Sequence, residues 1–327
     1  MSAIGQAVSA LRSRPKSRWR TLYAFGAAVL LFVVSELLRP GFASADGIRT
    51  TLVIASFVGF VAAGQTLVIL VGGIDLYVPW VLNAAAILLV TSSLGRDGRL
   101  PYALALTLGL GLVVGLVNGI GVAYIGIPAV VMTLGMNGVM EGLTLGRSKG
   151  LTCASCNSYA PPALQHFEQR SWLGIPQDLY LWLAVAVAMT VLLTATAFGR
   201  RTYAIGTNPR ASYLAGVRIR RVTVVLYMLC GGFSALAGIV LVAYGGQPSL
   251  GIGDPYLFQS IAAVVIGGTS ILGGRGSYLG SVAGSITLVT LVTLLQAENM
   301  PEYGRSILYG VTILAILLLY GRERSRA

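Results

Sequence analysis

Long apolar runs separated by short polar or basic segments occupy most of this chain. A helix needs roughly 20 apolar residues to cross a bilayer, and about ten runs approach that length. The pattern therefore predicts an all-α, polytopic transmembrane bundle, and the short run at 257–273 leaves nine or eleven spans open. The ten predicted spans are 22–38, 50–71, 77–94, 101–123, 127–146, 179–198, 222–243, 257–273, 279–297 and 305–320.

Composition supports a membrane protein with one large domain. Of the 327 residues, 55% are hydrophobic and 10% are charged, whereas an ordinary soluble domain is about 25% charged. A soluble enzyme, a disordered protein and a disulfide scaffold are excluded. We divide the chain into a basic N-terminal segment (1–20), a transmembrane domain (21–321) and a short tail (322–327).

The distribution of charge predicts the orientation. The net charge is +12, but nucleic-acid binding would need a basic stripe on a soluble fold, so we predict no nucleic-acid partner. Arginines concentrate before residue 21, in the loop 199–221 and after residue 321, while most acids between spans lie in the other loops. The positive-inside rule places both termini in the cytoplasm and the long loop 147–178 outside. The first run could imitate a cleaved signal, but it is long for one and further spans follow.

The outer loop contains a possible disulfide. Cys153 and Cys156 are separated by two residues, and the third cysteine, Cys230, lies in a span. A disulfide is our preferred interpretation in an oxidising compartment, with free thiols, a metal site or redox work as the alternatives. A zinc site lacks a second pair and a redox motif lacks its βαβ context, so we predict no metal.

Glycines recur every four residues in three places, which puts them on one helix face where neighbouring backbones approach closely. We therefore predict helix packing at each set. The sets are Gly111/Gly115/Gly119, Gly138/Gly142/Gly146 and Gly276/Gly280/Gly284.

Two apolar runs end alike, at Gly72-Gly73 and at Gly267-Gly268. Such an internal echo is typical of duplicated transporters, and irregular backbone at membrane depth must line a cavity or be covered by protein. Asp75 follows the first break, and we favour a structural cap there over a proton relay. Acids in or beside spans are few, which argues against an ion-driven carrier.

The loop 199–221 predicts a short helix with defined ends. Asn208 is a favoured N-cap, Pro209 suits the first helical position and Gly216 suits the position after the last turn. We predict a helix over 209–215, flanked by basic residues, as a docking element for a cytoplasmic partner.

The sequence resembles the permease subunits of bacterial ABC importers for ribose, xylose, arabinose and galactose, over about residues 50–320. Four motifs in family order carry the resemblance. They are Gly72-Gly73-Ile74-Asp75-Leu76, Ile127-Pro128 to Thr133-Leu134-Gly135-Met136, Ala204-Ile205-Gly206-Thr207-Asn208-Pro209 with Ala215-Gly216-Val217, and Gly267-Gly268-Thr269-Ser270 with Gly273-Gly274-Arg275-Gly276-Ser277.

The resemblance implies a type II-like permease of the bacterial inner membrane that carries a monosaccharide. Its implied partners are an ABC ATPase, a periplasmic substrate-binding protein, membrane lipid and a second permease subunit forming a homodimer. The chain has no G-x-x-x-x-G-K-[ST] phosphate loop, so we expect no enzyme activity and no cofactor, with ATP bound by the partner. The predicted coupling residues are Asn208, Pro209, Arg210, Ala211, Leu214, Ala215 and Gly216.

The sequence departs from the family where Tyr77-Val78-Pro79-Trp80 replaces the usual small residues. Altered packing and a reshaped conduit are both open at this point, and the departure weakens any named sugar. Another cargo class (a metal chelate, a vitamin or a nucleoside), an ion-coupled secondary carrier and a membrane enzyme remain the alternatives. The predicted path residues are Gly72, Gly73, Asp75, Tyr77, Trp80, Asn83, Asn118 and Asn137.

Overall fold

The computed structural model describes residues 15–148, 159–301, 303–305, 307, 310 and 311. Helices dominate this part of the chain, and a two-stranded hairpin lies between two of them. The elements are α1 (Pro15–Leu38), α2 (Ala45–Leu70), α3 (Val78–Ser93), α4 (Leu100–Ile120), α5 (Ala129–Ser148), α6 (Pro162–Gln169), β1 (Ser171–Trp172), β2 (Ile175–Pro176), α7 (Gln177–Ala195), α8 (Ala197–Thr207), α9 (Pro209–Leu214), α10 (Ile219–Gly245), α11 (Asp254–Ile266) and α12 (Tyr278–Ala297). The strands pair antiparallel, with Ser171 opposite Pro176.

A helix occupies each of the first nine predicted spans. Five stretches in the described part of the chain are long and apolar enough to cross a membrane, namely α2, Asp97–Ile125 around α4, α7, α10 and α12. The eighth predicted span, 257–273, is displaced, because α11 ends at Ile266 and the next helix begins only at Tyr278. Most of span 305–320, the tail 322–327, Cys153 and Cys156 lie outside the described residues.

Local signals explain where several helices begin. Ser44, Thr196 and Ser277 precede α2, α8 and α12, and each side chain accepts a hydrogen bond from the backbone N–H three residues later. These bonds satisfy one of the free N–H groups that every helix start exposes. The starts of these helices are therefore encoded by single residues.

The loops collect at two ends of the bundle. At the first, which we call the hairpin end, the Arg39 side chain pairs with Glu298 at 2.8 Å and the Ala163 N–H donates to Asp97 at 2.8 Å. At the second, which we call the basic end, the Gly274 N–H donates to the Leu70 carbonyl at 2.8 Å. The predicted outer loops thus lie together at the hairpin end, and loop 199–221 lies at the basic end.

Helix α10 lies at the centre and packs against α2, α3 and α4. The glycines of α4 make this contact possible, as predicted. A Cβ added at Gly111 would overlap the carbonyl oxygen of Gly231, and one at Gly115 would overlap that of Tyr227. Backbones this close gain dispersion energy along the whole contact.

The other two glycine sets behave differently. The packing prediction for Gly138, Gly142 and Gly146 is wrong within the described residues, because a Cβ at any of them would meet nothing within 4 Å. In the third set, Gly280 and Gly284 pack closely on α11 and the residue after it, as predicted, whereas Gly276 precedes the helix and has φ +152°. Spacing alone did not distinguish a packed glycine face from an open one.

Candidate coupling site and translocation path

Two helices, α2 and α11, end in the same backbone structure. Gly72 and Gly268 have φ of +80° and +87°. In the first helix the N–H of Gly73 donates to Val68 at 3.1 Å, and in the second the N–H of Thr269 donates to Val264 at 3.2 Å. Together with the i−3 bonds from Gly72 and Gly268, these contacts define two Schellman caps.

The equivalence corrects the register of the internal echo. The sequence pattern aligned Gly72-Gly73 with Gly267-Gly268, but the structure aligns Gly72 with Gly268. The reason is that the cap needs a residue in the left-handed region at one position only. Gly267 fills a different requirement, since its backbone lies against that of Gly280.

The first cap meets helix α8 and the loop that follows the second cap at the basic end. A Cβ added at Gly273 would lie 2.9 Å from the backbone nitrogen of Gly72. One added at Gly206 of α8 would overlap both the Leu70 carbonyl and the Gly274 nitrogen. We call Gly72, Gly206, Gly273 and Gly274 the glycine junction. It brings three segments that are far apart in sequence into backbone contact.

The short helix α9 follows α8 directly and has the predicted ends. The Asn208 side chain accepts from the Ala211 N–H at 3.0 Å, and Pro209 occupies the first helical position. Gly216 has φ +79°, and the N–H groups of Gly216 and Val217 donate to Tyr213 and Ser212 at 2.9 and 3.0 Å. Both ends of α9 are thus fixed by the chain itself.

The surface of α9 is almost entirely free. Tyr213 is 70% exposed and Leu214 is 79% exposed, and the seven predicted coupling residues are all exposed. Large apolar side chains that are exposed beside arginines are typical of surfaces that bind another protein. Sequence reasoning missed Tyr213, although an aromatic residue beside Leu214 in a basic loop could have drawn attention to it.

Comparison with known proteins identifies the family of this chain. Residues 47–317 match the profile of a family described as "Branched-chain amino acid transport system / permease component". The chain belongs to this permease family.

Several curated permease proteins are similar to this chain over most of its length. The autoinducer 2 import system permease protein LsrC of Escherichia coli (strain K12 / DH10B) is 34% identical over 305 residues, which cover 93% of this chain and 88% of that protein. The proteins of the same name from Salmonella typhimurium (strain LT2) and Salmonella typhi are each 33% identical, over 93% of this chain and 86% of their own length. No solved structure matches. The permease is therefore a multi-pass inner-membrane protein. The predicted membership in a family of sugar-type ABC importer permeases is confirmed.

Inside the permease, the non-helical segment after Gly72 is held by side chains. The Gln65 side chain in α2 pairs with the backbone of Asp75 through both of its amide atoms. The carboxylate of Asp75 accepts from the Tyr77 N–H at 3.0 Å, and the Tyr77 hydroxyl donates to the Tyr227 carbonyl at 2.9 Å. Asp75 thus makes the local contact that a cap would make. Sequence reasoning missed Gln65, whose signal was an amide in an otherwise apolar run.

The other predicted path residues occupy separate positions. Asn83 accepts from the N–H of Gly253 at 3.0 Å and so holds the start of α11 against α3. The Asn118 side chain donates to the Val114 carbonyl of its own helix at 2.9 Å. Trp80 is half-buried beside the core. The side-chain carbonyl oxygen of Asn137 has no hydrogen-bond partner among the described residues. A Cβ at Gly73 would lie 2.7 Å from the Tyr227 hydroxyl. Their role in the path stays a prediction.

At the hairpin end the permease carries two neighbouring carboxyl groups. Glu168 of α6 lies near Asp178 at the start of α7, and Asp178 accepts from the Ser56 hydroxyl at 3.0 Å. Desolvation, with repulsion from Asp178 as the smaller cause, raises the pKa of Glu168 to about 8. Its surroundings therefore favour the protonated, neutral form of the Glu168 carboxyl group.

Proposed function

We propose that this permease imports a small hydroxylated solute as part of a binding-protein-dependent ABC importer. Helix α9 is the observation that carries the proposal. It is a rigid, self-capped element with exposed Tyr213 and Leu214, and it is joined through α8 to the glycine junction. An ATPase that contacts α9 can therefore act both on the end of α2 and on the loop that follows α11.

The basic end faces the cytoplasm and the hairpin end faces the binding protein in this proposal. The arginines of loop 199–221 support it, since cytoplasmic loops carry an excess of Lys and Arg. Arg220 also stacks on the Tyr124 ring at 5.6 Å, which places another helix end beside this loop. The ATPase and the binding protein thus occupy opposite ends.

Transport needs no chemistry on the cargo. Closure of the ATPase on ATP would move α9, and α8 would carry that movement to the junction because Gly206 contacts the end of α2 and the loop residue Gly274 through backbone atoms. Packed backbones transmit a displacement with little loss, since interiors are close-packed. The end of α2 and the loop after α11 would then move together and change access to the path.

The cargo is a monosaccharide or a compound of similar polarity. Resemblance to sugar-type importers supports a monosaccharide, and the similarity to the LsrC proteins of autoinducer 2 import systems supports autoinducer 2 as the second candidate. At 33–34% identity the two are to be distinguished by experiment.

The test is purification of the tagged permease from its native membrane, followed by mass spectrometry and uptake measurements in vesicles. Recovery of an ABC ATPase, with ATP-dependent uptake of a neutral sugar or autoinducer 2, is the expected result. Two copies carrying different tags should also purify together if the permease is a homodimer. ATP-independent uptake by the permease alone would replace the proposal with a secondary carrier.

A further inference from the structure

A cavity of about 670 Å³ opens beside the start of α11. Its walls come from α2 near Ile54, from the last two turns of α12 and from Arg305 in the helical residues 303–305. Because α2 begins and α12 ends at the hairpin end, the cavity lies in that half of the bundle. None of the predicted path residues lines it.

The cavity lining is mostly apolar with a few polar side chains. This composition and this volume are typical of small-molecule sites, which span roughly 300–1,000 Å³. Thr293 and Gln296 lie three residues apart on α12 and therefore share one face. The Nε of Arg305 is buried and has no hydrogen-bond partner among the described residues. Among the described residues, the polar side chains of the lining are Asp254, Gln259, Thr293, Gln296 and Arg305.

The charges in and around the cavity disfavour a ligand that carries a charge of a single sign. Asp254 lines it, and Glu141 of α5 lies close enough to Asp254 to repel it. Two carboxylates disfavour an anion, while the Arg305 guanidinium disfavours a simple cation. Hydroxyl groups satisfy both, because they donate to a carboxylate and accept from a guanidinium or an amide. Tyr256 and Phe258 add apolar faces that suit the C–H face of a sugar ring.

Helix α11 and the loop that follows it connect the cavity with the glycine junction. Asp254 begins α11, and the cap at Gly268 ends it about 20 Å away. The start of α11 is held against α3, since Asn83 accepts from the Gly253 N–H and a Cβ at Gly253 would overlap the Pro79 carbonyl oxygen. The chain that leaves the other end of α11 enters the junction at Gly273 and Gly274.

We infer that this cavity is a transient binding site for a neutral, polyhydroxylated solute in transit through the permease. The inference rests on the proposed import function and adds a location and a ligand class to it. Asp254, Gln296 and Arg305 bind solute hydroxyls, and α11 links their occupancy to the end that the ATPase contacts.

Uptake by proteoliposomes tests this site. The full permease, its ATPase and its binding protein are assayed with the neutral solute that the wild type carries best from a panel of pentoses, hexoses and autoinducer 2. Asp254→Asn and Gln296→Leu should each lower uptake at subsaturating solute by about tenfold, as for a lost hydrogen bond to a charged or buried group. Glu298→Gln is the matched control, because it removes an exposed carboxylate outside the cavity; it should transport like the wild type. Wild-type kinetics in both cavity variants would overturn the inference.

Cysteine protection gives a second readout that does not require transport. Thr293→Cys and Glu298→Cys are made in a permease whose own three cysteines are replaced by serine, and a methanethiosulfonate reagent is applied. Millimolar solute should slow modification at Thr293→Cys at least threefold and leave Glu298→Cys unchanged. Equal rates with and without solute at Thr293→Cys would contradict the site. Failure of the wild type to take up any solute would instead contradict the proposed function.

Discussion

Single residues in this permease decide how closely backbones approach. Gly206, Gly273 and Gly274 sit where any side chain would meet another segment's backbone, and Gly72 and Gly268 adopt a backbone conformation that other residues rarely take. Asn208 and Asp75 act locally by accepting N–H groups that would otherwise be free. Close backbone approach and positive φ therefore require glycine at these positions, and free N–H groups require an accepting side chain.

Gly206→Ala tests the junction at the scale of one methyl group. The new Cβ would overlap the Leu70 carbonyl and the Gly274 nitrogen, and overpacking of this kind costs about 1–3 kcal/mol. We expect ATP-dependent uptake to fall about tenfold while ATP hydrolysis by the complex continues. Gly109→Ala is the control, because that glycine lies in α4 with nothing within 4 Å. Uptake by Gly206→Ala equal to that of Gly109→Ala would refute a transmitting role for the junction.

Glu168 predicts a dependence of stability on pH. Its pKa is about 8 in the folded permease, compared with 4.5 for the ordinary group, so the folded state holds the proton more tightly. Between these values the folded state binds more protons than the unfolded state, and stability falls as pH rises. Glu168→Gln should flatten the decrease in thermal unfolding midpoint from pH 5 to pH 8.5, whereas Glu298→Gln should keep the wild-type slope. Identical slopes in all three proteins would argue against a half-buried, protonated Glu168.

At the scale of elements, α9 forms because its ends are capped, although six residues are too few for a stable isolated helix. Caps at Asn208 and Gly216 offset part of the conformational entropy. Helices α2 and α11 end at equivalent glycines, so the two halves of the chain place the same device at one end of the bundle. The ends of each helix are thus set by residues close to them in the sequence, whereas packing sets where the helix lies in the bundle.

Asn208→Ala should weaken α9 specifically. Loss of an N-cap costs about 1 kcal/mol, so the amides of α9 should exchange with deuterium about fivefold faster and the ATPase should dissociate more readily on purification. Asn208→Asp keeps a side-chain oxygen in place and should behave like the wild type. Unchanged exchange and unchanged ATPase recovery in Asn208→Ala would mean that the cap does not support the docking helix.

At the scale of the whole molecule, the bundle has two chemically different ends. The arginines of loop 199–221 and the exposed helix α9 lie at the basic end, while the carboxyl pair, the small hairpin and the cavity lie toward the other end. A protein that is driven from one side and loaded from the other needs two different ends of this kind. Helix α11 and the loop that follows it span the distance between the cavity and the junction.

Cysteine labelling in intact cells tests this orientation. Trp172 in the hairpin is 63% exposed and Tyr213 in α9 is 70% exposed, so exposure is matched between the two sites. After replacement of the native cysteines, a membrane-impermeant maleimide should label Trp172→Cys in intact cells and Tyr213→Cys only after lysis. The reverse pattern would invert the bundle and place α9 outside the cell.

The sequence by itself determined the class of protein, the presence of a helix in each of the first nine predicted spans and the ends of α9. These features depend on residues that are neighbours in the chain, namely apolar runs, caps and glycines at helix ends. Tertiary structure decided which glycines pack, since Gly111 and Gly142 belong to sets with the same spacing but only the first meets another helix. It also decided the contact of Leu70, Gly206 and Gly274 and the cavity around Asp254, because these depend on which distant segments share one place in the bundle.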